Sequence, residues 1–367
     1  MNILHIASID NYKASGISVI VPQHLKYQKK HVNVALLNCS KTPLSNTKED
    51  YGFKTFKFYE YNKFELSKLE YPFNNPDLVV FHSIYYKEFC KISKKLRGMG
   101  LPYIVIPHGS LTNLAQKKKF LKKKIGNILF FNNFIKKCNY IQYLTSEEEK
   151  SSSKWNMPFL ICGNGIDIND EFVFNNLSSR KSFNIVFIGR LDVYHKGLDV
   201  LLEACSLIRT EMLEKQIILD IYGPDYQDGR KKVKEMIKNL DLENVVFLHN
   251  EVYDDKKDRV LSNADIFILT SRFEGQPLAI MEALAKGIPV IATPGTNFSE
   301  EIEKNELGWK VELSSEDIAH KILDIYKQKD LLSSYSVNAY EYAKDNLSWD
   351  KITKDTINLY KQLFERE

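Results

Sequence analysis

Two permanent cations stand close together in the second half of the chain, in Gly189-Arg190-Leu191 and Lys196-Gly197. The first segment follows an apolar run and the second opens a helix-like stretch. Glycines there let the main chain come close to a ligand, while a guanidinium fork and an ammonium point charge together suit a diphosphate. Neither a Walker loop nor a dinucleotide fingerprint is present, which weighs against ATPase and dehydrogenase chemistry. Downstream lies Glu274-Gly275-Gln276-Pro277-Leu278, with Glu282 eight residues after Glu274. Pro277 is expected in the first turn of a helix, where its missing N–H does no harm. That leaves Glu274 in a loop and Glu282 on the helix, two carboxylates able to accept hydrogen bonds from vicinal hydroxyls of a sugar and a ribose. A diphosphate flanked by hydroxylated rings describes a nucleotide sugar.

Two further positions lie in the first half. His108, in Pro107-His108-Gly109-Ser110, is expected at the end of a strand, either placed for proton exchange with a ligand or satisfied as a structural histidine. Gly16 sits at a strand-to-helix turn, where it either admits an anion to backbone amides or merely allows close packing.

The elements that must position these groups follow from the apolar pattern. Short continuous apolar runs at residues 3–7, 32–37, 78–81, 103–106 and 141–144, and again at 185–188, 217–222, 245–248, 266–269 and 289–292, alternate with helix-like stretches. Continuous apolarity fits strands covered on both faces, so the pattern predicts parallel α/β architecture in two doubly wound Rossmann-like domains. Turn formers at 163–167, followed by the polar stretch 175–182, predict a hinge between them. The expected boundaries are residues 1–168, residues 169–345, and a C-terminal helix, residues 346–367, with Ser348 as its N-cap.

With 367 residues, 44% hydrophobic and 27% charged, the composition is that of a folded globular chain and excludes disorder and small disulfide scaffolds. Five scattered cysteines without C-x-x-C spacing predict reduced thiols in a cytosolic protein and no metal site. No apolar run reaches the ~20 residues of a membrane span, and no basic leader with a cleavage site is expected.

The net charge of +4 is unevenly spread: residues 89–146 contain twelve Lys or Arg and no Asp or Glu. There Lys117, Lys118, Lys119, Lys122, Lys123 and Lys124 flank Leu121, Ile125 and Ile128, which share one face of an expected helix. Such a helix either lies on an anionic membrane surface or packs its apolar stripe on its own domain. Nucleic acid is not an expected partner, because no basic stripe is interleaved with stacking aromatics.

The second half resembles the family 4 retaining glycosyltransferases, also described as glycosyl transferase group 1, of the GT-B type. The likeness rests on Gly189-Arg190-Leu191, Lys196-Gly197, Leu201-Leu202-Glu203-Ala204, Ala264-Asp265, the Glu274–Glu282 pair and Ala285-Lys286-Gly287-Ile288-Pro289-Val290. It is looser in the first half, through Gly16, Pro107-His108-Gly109 and Asn164-Gly165-Ile166-Asp167.

The resemblance implies two Rossmann-like domains facing each other across a cleft, with the C-terminal helix crossing back to the first. It implies a donor of the UDP or GDP sugar type and neither a cofactor nor a metal. Arg190 and Lys196 would bind the diphosphate, Glu274 the donor sugar and Glu282 the ribose. His108 would orient the sugar, and Gly16 would leave room for the acceptor beside the phosphates. Donor-binding positions by the same likeness include Gly189, Gly275, Gln276, Pro277 and Leu278.

The expected activity is transfer of a hexose-like sugar to a glycan or lipid-linked glycan acceptor in surface polysaccharide synthesis, such as lipopolysaccharide or capsule. The enzyme would be peripheral on the inner face of the cell membrane. Alternatives are a nucleotide-sugar epimerase or hydrolase on the same fold, or a non-catalytic donor-binding subunit. The chain departs from the family pattern at Ser15-Gly16, at His249 and at Thr296-Asn297, where glycines are usual.

Overall fold

The computed structural model describes residues 1–10, 15–42, 52–61, 64–117, 120–168 and 181–364. Its chain divides into two compact units, Met1–Gly165 with Trp349–Glu367, and Ile166–Ser348. Each has its own sheet and its own apolar core.

In the first unit the strands are β1 (Asn2–Ala7), β2 (Asn33–Asn38), β3 (Lys54–Lys57), β4 (Leu78–His82), β5 (Tyr103–Ile106), β6 (Tyr140–Tyr143) and β7 (Phe159–Ile161). All pair in parallel, in the order β3-β2-β1-β4-β5-β6-β7. The second unit contains β8 (Phe183–Ile188), β9 (Ile217–Tyr222), β10 (Val246–His249), β11 (Ile266–Leu269), β12 (Val290–Ala292) and β13 (Gly308–Lys310). These are also parallel, in the order β10-β9-β8-β11-β12-β13.

Every strand read from an apolar run is present, within one or two residues of its expected ends. The additional strands β3, β7 and β13 are three or four residues long and lie at sheet edges; β3 (Lys54-Thr55-Phe56-Lys57) and β13 (Gly308-Trp309-Lys310) contain no continuous apolar run, whereas β7 (Phe159-Leu160-Ile161) is apolar throughout but, at three residues, too short to read as a strand. The segment read as a hinge falls outside the described residues from 175 to 180.

Six helices position the groups of interest: α1 (Gly16–Gln28), α2 (Phe120–Gly126), α3 (Val193–Lys196), α4 (Leu198–Leu207), α5 (Leu278–Ala285) and α6 (Trp349–Phe364). The last is a member of the first unit. Its buried Trp349 stacks on Tyr27 with ring centres 5.2 Å apart and meets the His24 ring edge-on at 5.0 Å. A Cβ on Gly165 would stand 2.4 Å from the Trp349 ring, so only glycine admits this packing. At the other end of α6, the buried Tyr360 hydroxyl donates to Gln142 Oε1 at 2.6 Å.

Two local expectations are corrected. Pro277 stands just before α5 with extended backbone (φ −75°, ψ 115°), so the first helical residue is Leu278. Lys196 closes the short helix α3, and Gly197, left-handed at φ 64°, joins it to α4. Among the described residues, no helix is long and apolar enough to cross a membrane.

Candidate functional site

In an open parallel sheet, ligands bind beyond the carboxyl ends of strands where the strand order reverses, because loops leave in opposite directions there and helix N-termini converge. The reversal in the second unit falls between β8 and β11. Gly189-Arg190 leaves β8, and Thr270 to Glu274 leave β11. The segments that carry both cations and one of the carboxylates read from the sequence therefore leave the sheet at this point.

Lys196 Nζ donates to Glu274 Oε1 at 2.5 Å, and the two side chains are only 12% and 14% exposed. Ser271 Oγ donates to the same oxygen at 2.7 Å. His195 Nε2 donates to the Phe273 carbonyl at 2.6 Å and its ring stacks on the Phe273 ring at 4.2 Å. Burial alone works to raise the Glu274 carboxyl, but Lys196, His195 and Ser271 outweigh it and hold its pKa below the ordinary value. Burial lowers the pKa of His195 from its ordinary value, against the pull of the Glu274 carboxylate.

Gly197 lets α3 sit against the end of β11. Thr270 Oγ1 donates to the Lys196 and Gly197 carbonyls at 3.1 and 3.2 Å, and a Cβ on Gly197 would lie 2.0 Å from the Thr270 carbonyl oxygen. Gly189 is restricted more mildly, since its Cβ would approach Phe187 to 3.1 Å and Lys196 Cε to 3.4 Å.

Arg190 is half-buried, with its guanidinium 5.0 Å from the Tyr226 ring centre. Among the described residues no carboxylate pairs with it. Arg190, Lys196 and Glu274 together carry one net positive charge, which favours a dianion.

Glu282 lies on α5 and pairs through Oε2 with Lys257, from the helix Asp254–Ser262. It is thus tied to a different partner from Glu274, with its second oxygen still able to accept. Gln276 and Pro277 are buried, while Gly275 and Leu278 are half-buried.

The sequence reading gave no role to His195, Ser271, Arg272 or Asn297. Arg272 forks onto Asp199 at 2.7 and 2.8 Å and also donates to the Tyr194 carbonyl. Asn297, left-handed at φ 55°, donates from Nδ2 to the Glu274 carbonyl. The positions of His195 beside Lys196, and of Ser271 three residues before Glu274, were the only signals available.

In the first unit the strand order reverses between β1 and β4. His108 follows β5 in a left-handed conformation unusual for a non-glycine residue, φ 49°, and Gly109 continues it at φ 77°. The turn is held by the buried Glu148, which accepts from the Gly109 and Leu144 N–H groups at 2.5 and 2.7 Å. Burial raises the Glu148 carboxyl to about 7. His108 is pushed down to about 3, first by burial and then by His24. Gly16 is the first residue of α1, with Ser15 as N-cap accepting from Ser18 N–H at 3.4 Å. A Cβ there would meet nothing within 4 Å among the described residues, so close packing does not explain this glycine.

The lysine segment begins at the end of the short helix Asn113–Lys117 and runs through α2, which continues through the π-helical turn Asn127–Phe131 to the helix Asn132–Lys136. Leu121, Ile125 and Ile128 are 73%, 59% and 66% exposed, so the alternative in which this stripe packs on its own domain is overturned. Lys117, Lys122 and Lys124 are exposed; Lys123 is half-buried and donates to the Ala115 carbonyl at 2.5 Å. Lys118 and Lys119 lie outside the described residues. Beside α2 a cavity of about 700 Å³ is lined by Phe120, Lys124, Ile128, Lys136, Lys154 and Trp155, among others.

Residues 168–342, nearly all of the second unit, match the family model described as glycosyl transferases group 1. Over 380 residues, covering 99% of this chain and 92% of the relative, the sequence is 23% identical to an uncharacterized glycosyltransferase of Methanocaldococcus jannaschii. It is 36% identical over 122 residues to the amylovoran biosynthesis glycosyltransferase AmsK of Erwinia amylovora, spanning 31% of this chain but only 28% of that protein. The fold is that of the Anabaena protein HepE, solved in complex with UDP and glucose, with TM-score 0.75, 17% identity and coverage of 99% and 100% of the two chains. The chain has the α/β fold of its GT-B glycosyltransferase neighbours and carries, in its second unit, a glycosyl transferases group 1 domain.

Proposed function

We propose that the protein is a retaining, metal-independent glycosyltransferase of the family 4 type. It transfers a hexose-like sugar from a UDP or GDP sugar to a glycan or lipid-linked glycan acceptor in surface polysaccharide synthesis. One observation carries this reading: Arg190, which pairs with no carboxylate among the described residues, follows β8, and the Lys196–Glu274 pair joins the segments that leave β8 and β11 where the two strands diverge. Such a cluster suits a donor whose diphosphate takes the cations and whose sugar hydroxyls take the carboxylate.

In this mechanism Arg190 and Lys196 stabilise the charge that grows on the leaving diphosphate, the part a metal ion plays elsewhere. Lys196 is held in place by Glu274 before the donor arrives, so little ordering remains to be done on binding. Glu274 accepts from the donor sugar, and the Glu282 oxygen not bound to Lys257 accepts from the ribose. Gly275, Gln276, Pro277 and Leu278 shape the donor loop, with the base near Glu251 and Val252. His108 orients the sugar near its reacting carbon, and Gly16 leaves space for the acceptor. That HepE is solved with UDP and glucose supports a UDP-type donor.

The exposed apolar and cationic face of α2 supports peripheral contact with the anionic inner face of a cell membrane, where a lipid-linked acceptor would be met.

Thermal unfolding with UDP, GDP and their sugar conjugates tests the donor class. The correct nucleotide at 100 times its dissociation constant adds about 2.7 kcal/mol. Absence of stabilisation by every nucleotide, or a requirement for a divalent ion in transfer, would contradict the proposal.

A further inference from the structure

Behind His108 lies an unbroken line of hydrogen bonds that crosses the strand-order reversal of the first unit. His108 Nε2 contacts His82 Nδ1 at 3.2 Å, His82 Nε2 contacts His5 Nδ1 at 2.9 Å, and His5 Nε2 contacts Gln28 Oε1 at 2.9 Å. His82 ends β4, His5 lies in β1 and Gln28 ends α1. The three inner residues are almost completely buried, at 0%, 1% and 2% exposure. Successive rings stack at 5.5 and 5.2 Å.

A neutral imidazole has one N–H and one lone pair, and every contact in the line needs one of each. The order is therefore set from one end. Gln28 Oε1 can only accept, so His5 carries its proton on Nε2 and offers a lone pair at Nδ1. His82 must then donate from Nε2 and accept at Nδ1, and His108 must donate from Nε2. Burial pushes His5 down to about 3, which supports a neutral line near pH 7. His108 Nδ1 has no hydrogen-bond partner among the described residues.

We propose that Gln28, His5 and His82 are positioning residues that hold His108 in its Nε2–H form, so that Nδ1 presents a lone pair to a hydroxyl of the bound sugar or acceptor. The ligand role rests on the function proposed above; the proton order does not. Two other titratable groups face the line. His24, on α1, bonds Asn164 Oδ1 at 3.0 Å with its ring 6.0 Å from His82, and Glu148 accepts from the Gly109 N–H next to His108.

The test is Gln28→Glu, read by imidazole ¹⁵N NMR of His108 across pH. With the introduced carboxylate ionised the order is unchanged. Once that carboxyl group and His5 together take up one proton, His5 must donate from Nδ1, His82 then donates from Nδ1, and the His108 proton moves to its own Nδ1. A substitution three side chains away thus inverts the His108 tautomer, which a merely structural role cannot do. The donor turnover number is expected to fall about tenfold or more in the inverted state, with the donor KM unchanged, in the range found for outer partners of functional groups.

The wild-type spectrum covers the case in which the variant does not fold: His108 must be wholly Nε2–H there. A wild-type Nδ1–H signal, or a folded Gln28→Glu protein whose His108 keeps Nε2–H at every pH, would overturn the line. An inverted tautomer with unaltered turnover would overturn the role of Nδ1. If the wild type transfers no sugar but the inversion occurs, the proton order stands and the functional reading fails.

Discussion

Lys196 Nζ lies 2.5 Å from Glu274 Oε1, so a cation reached from β8 is joined to an acid delivered by β11. Because the pair is largely buried, its geometry is maintained without ligand. Glu274→Gln leaves Lys196 with a weaker partner and takes a charged acceptor from the sugar. The expected loss in kcat/KM is about 10–100-fold, the range of a hydrogen bond to a charged group.

The same residue sets a pH signature. Its folded pKa lies below the ordinary 4.5, so Glu274 contributes stability that is full above 4.5 and is lost as pH falls through the lower folded value. Thermal midpoints measured downward from pH 6 should fall more steeply below 4.5 in the wild type than in Glu274→Gln. Parallel curves would contradict the assignment.

For Arg190→Ala we expect turnover to fall on the order of 10²-fold. The melting temperature should move little, since the side chain is half-buried and its Tyr226 contact is worth about 0.5–1 kcal/mol. Arg190→Lys should recover only part of the rate, because an ammonium lacks the planar fork. Steady-state kinetics beside a thermal melt separates the two effects, and unchanged turnover in the alanine variant removes Arg190 from the mechanism.

On anionic vesicles, Lys122→Glu with Lys124→Glu should weaken binding by about 1 kcal/mol or more for each residue, and added salt should mimic the change. Replacing Leu121, Ile125 and Ile128 together with serine should abolish binding while costing about 0.5 kcal/mol or less of stability per site, since all three are exposed. Co-sedimentation provides both readings. Equal binding to neutral and anionic vesicles would sink the electrostatic part.

The buried histidines make the first unit acid-sensitive. Burial lowers His5 and His108 to about 3 and His24 to about 4, against an ordinary 6.5, and lowers His82 as well. At these four sites the unfolded chain therefore binds more protons than the folded one between those limits, which the buried Glu148, raised to about 7, offsets in part. The histidine contribution to stability is full above 6.5 and declines as pH falls toward 4. Urea midpoints should drop steadily over that window, and His24→Gln should flatten the slope.

Strands such as β8 and β11 were legible because burial on both faces demands uninterrupted apolar residues. Edge strands such as β3, Lys54-Thr55-Phe56-Lys57 with Phe56 as its one buried side chain, need no such run and left no trace. Arg190, Lys196 and Glu274 were legible because charge next to glycine is rarely needed for packing. His5 and His82 were not, since each occupies a strand position where a neutral ring reads as one more interior residue. Their significance comes from register: β1 and β4 are neighbours, though 77 positions separate His5 from His82. The exposure of Leu121 was equally hidden, because an amphipathic stripe looks alike whether or not something covers it.

Placing Trp349–Phe364 in the first unit makes the second an insertion within it. The insertion is neatly closed: Ile166 N–H donates to the Leu347 carbonyl at 2.8 Å, and Ile166 bridges Ser348. During synthesis on the ribosome, Ile166–Ser348 is complete before the helix that supplies Trp349 and Tyr360 has been translated. The segment made second is therefore the first able to finish folding, and the segment made first must wait for the last helix to leave the exit tunnel.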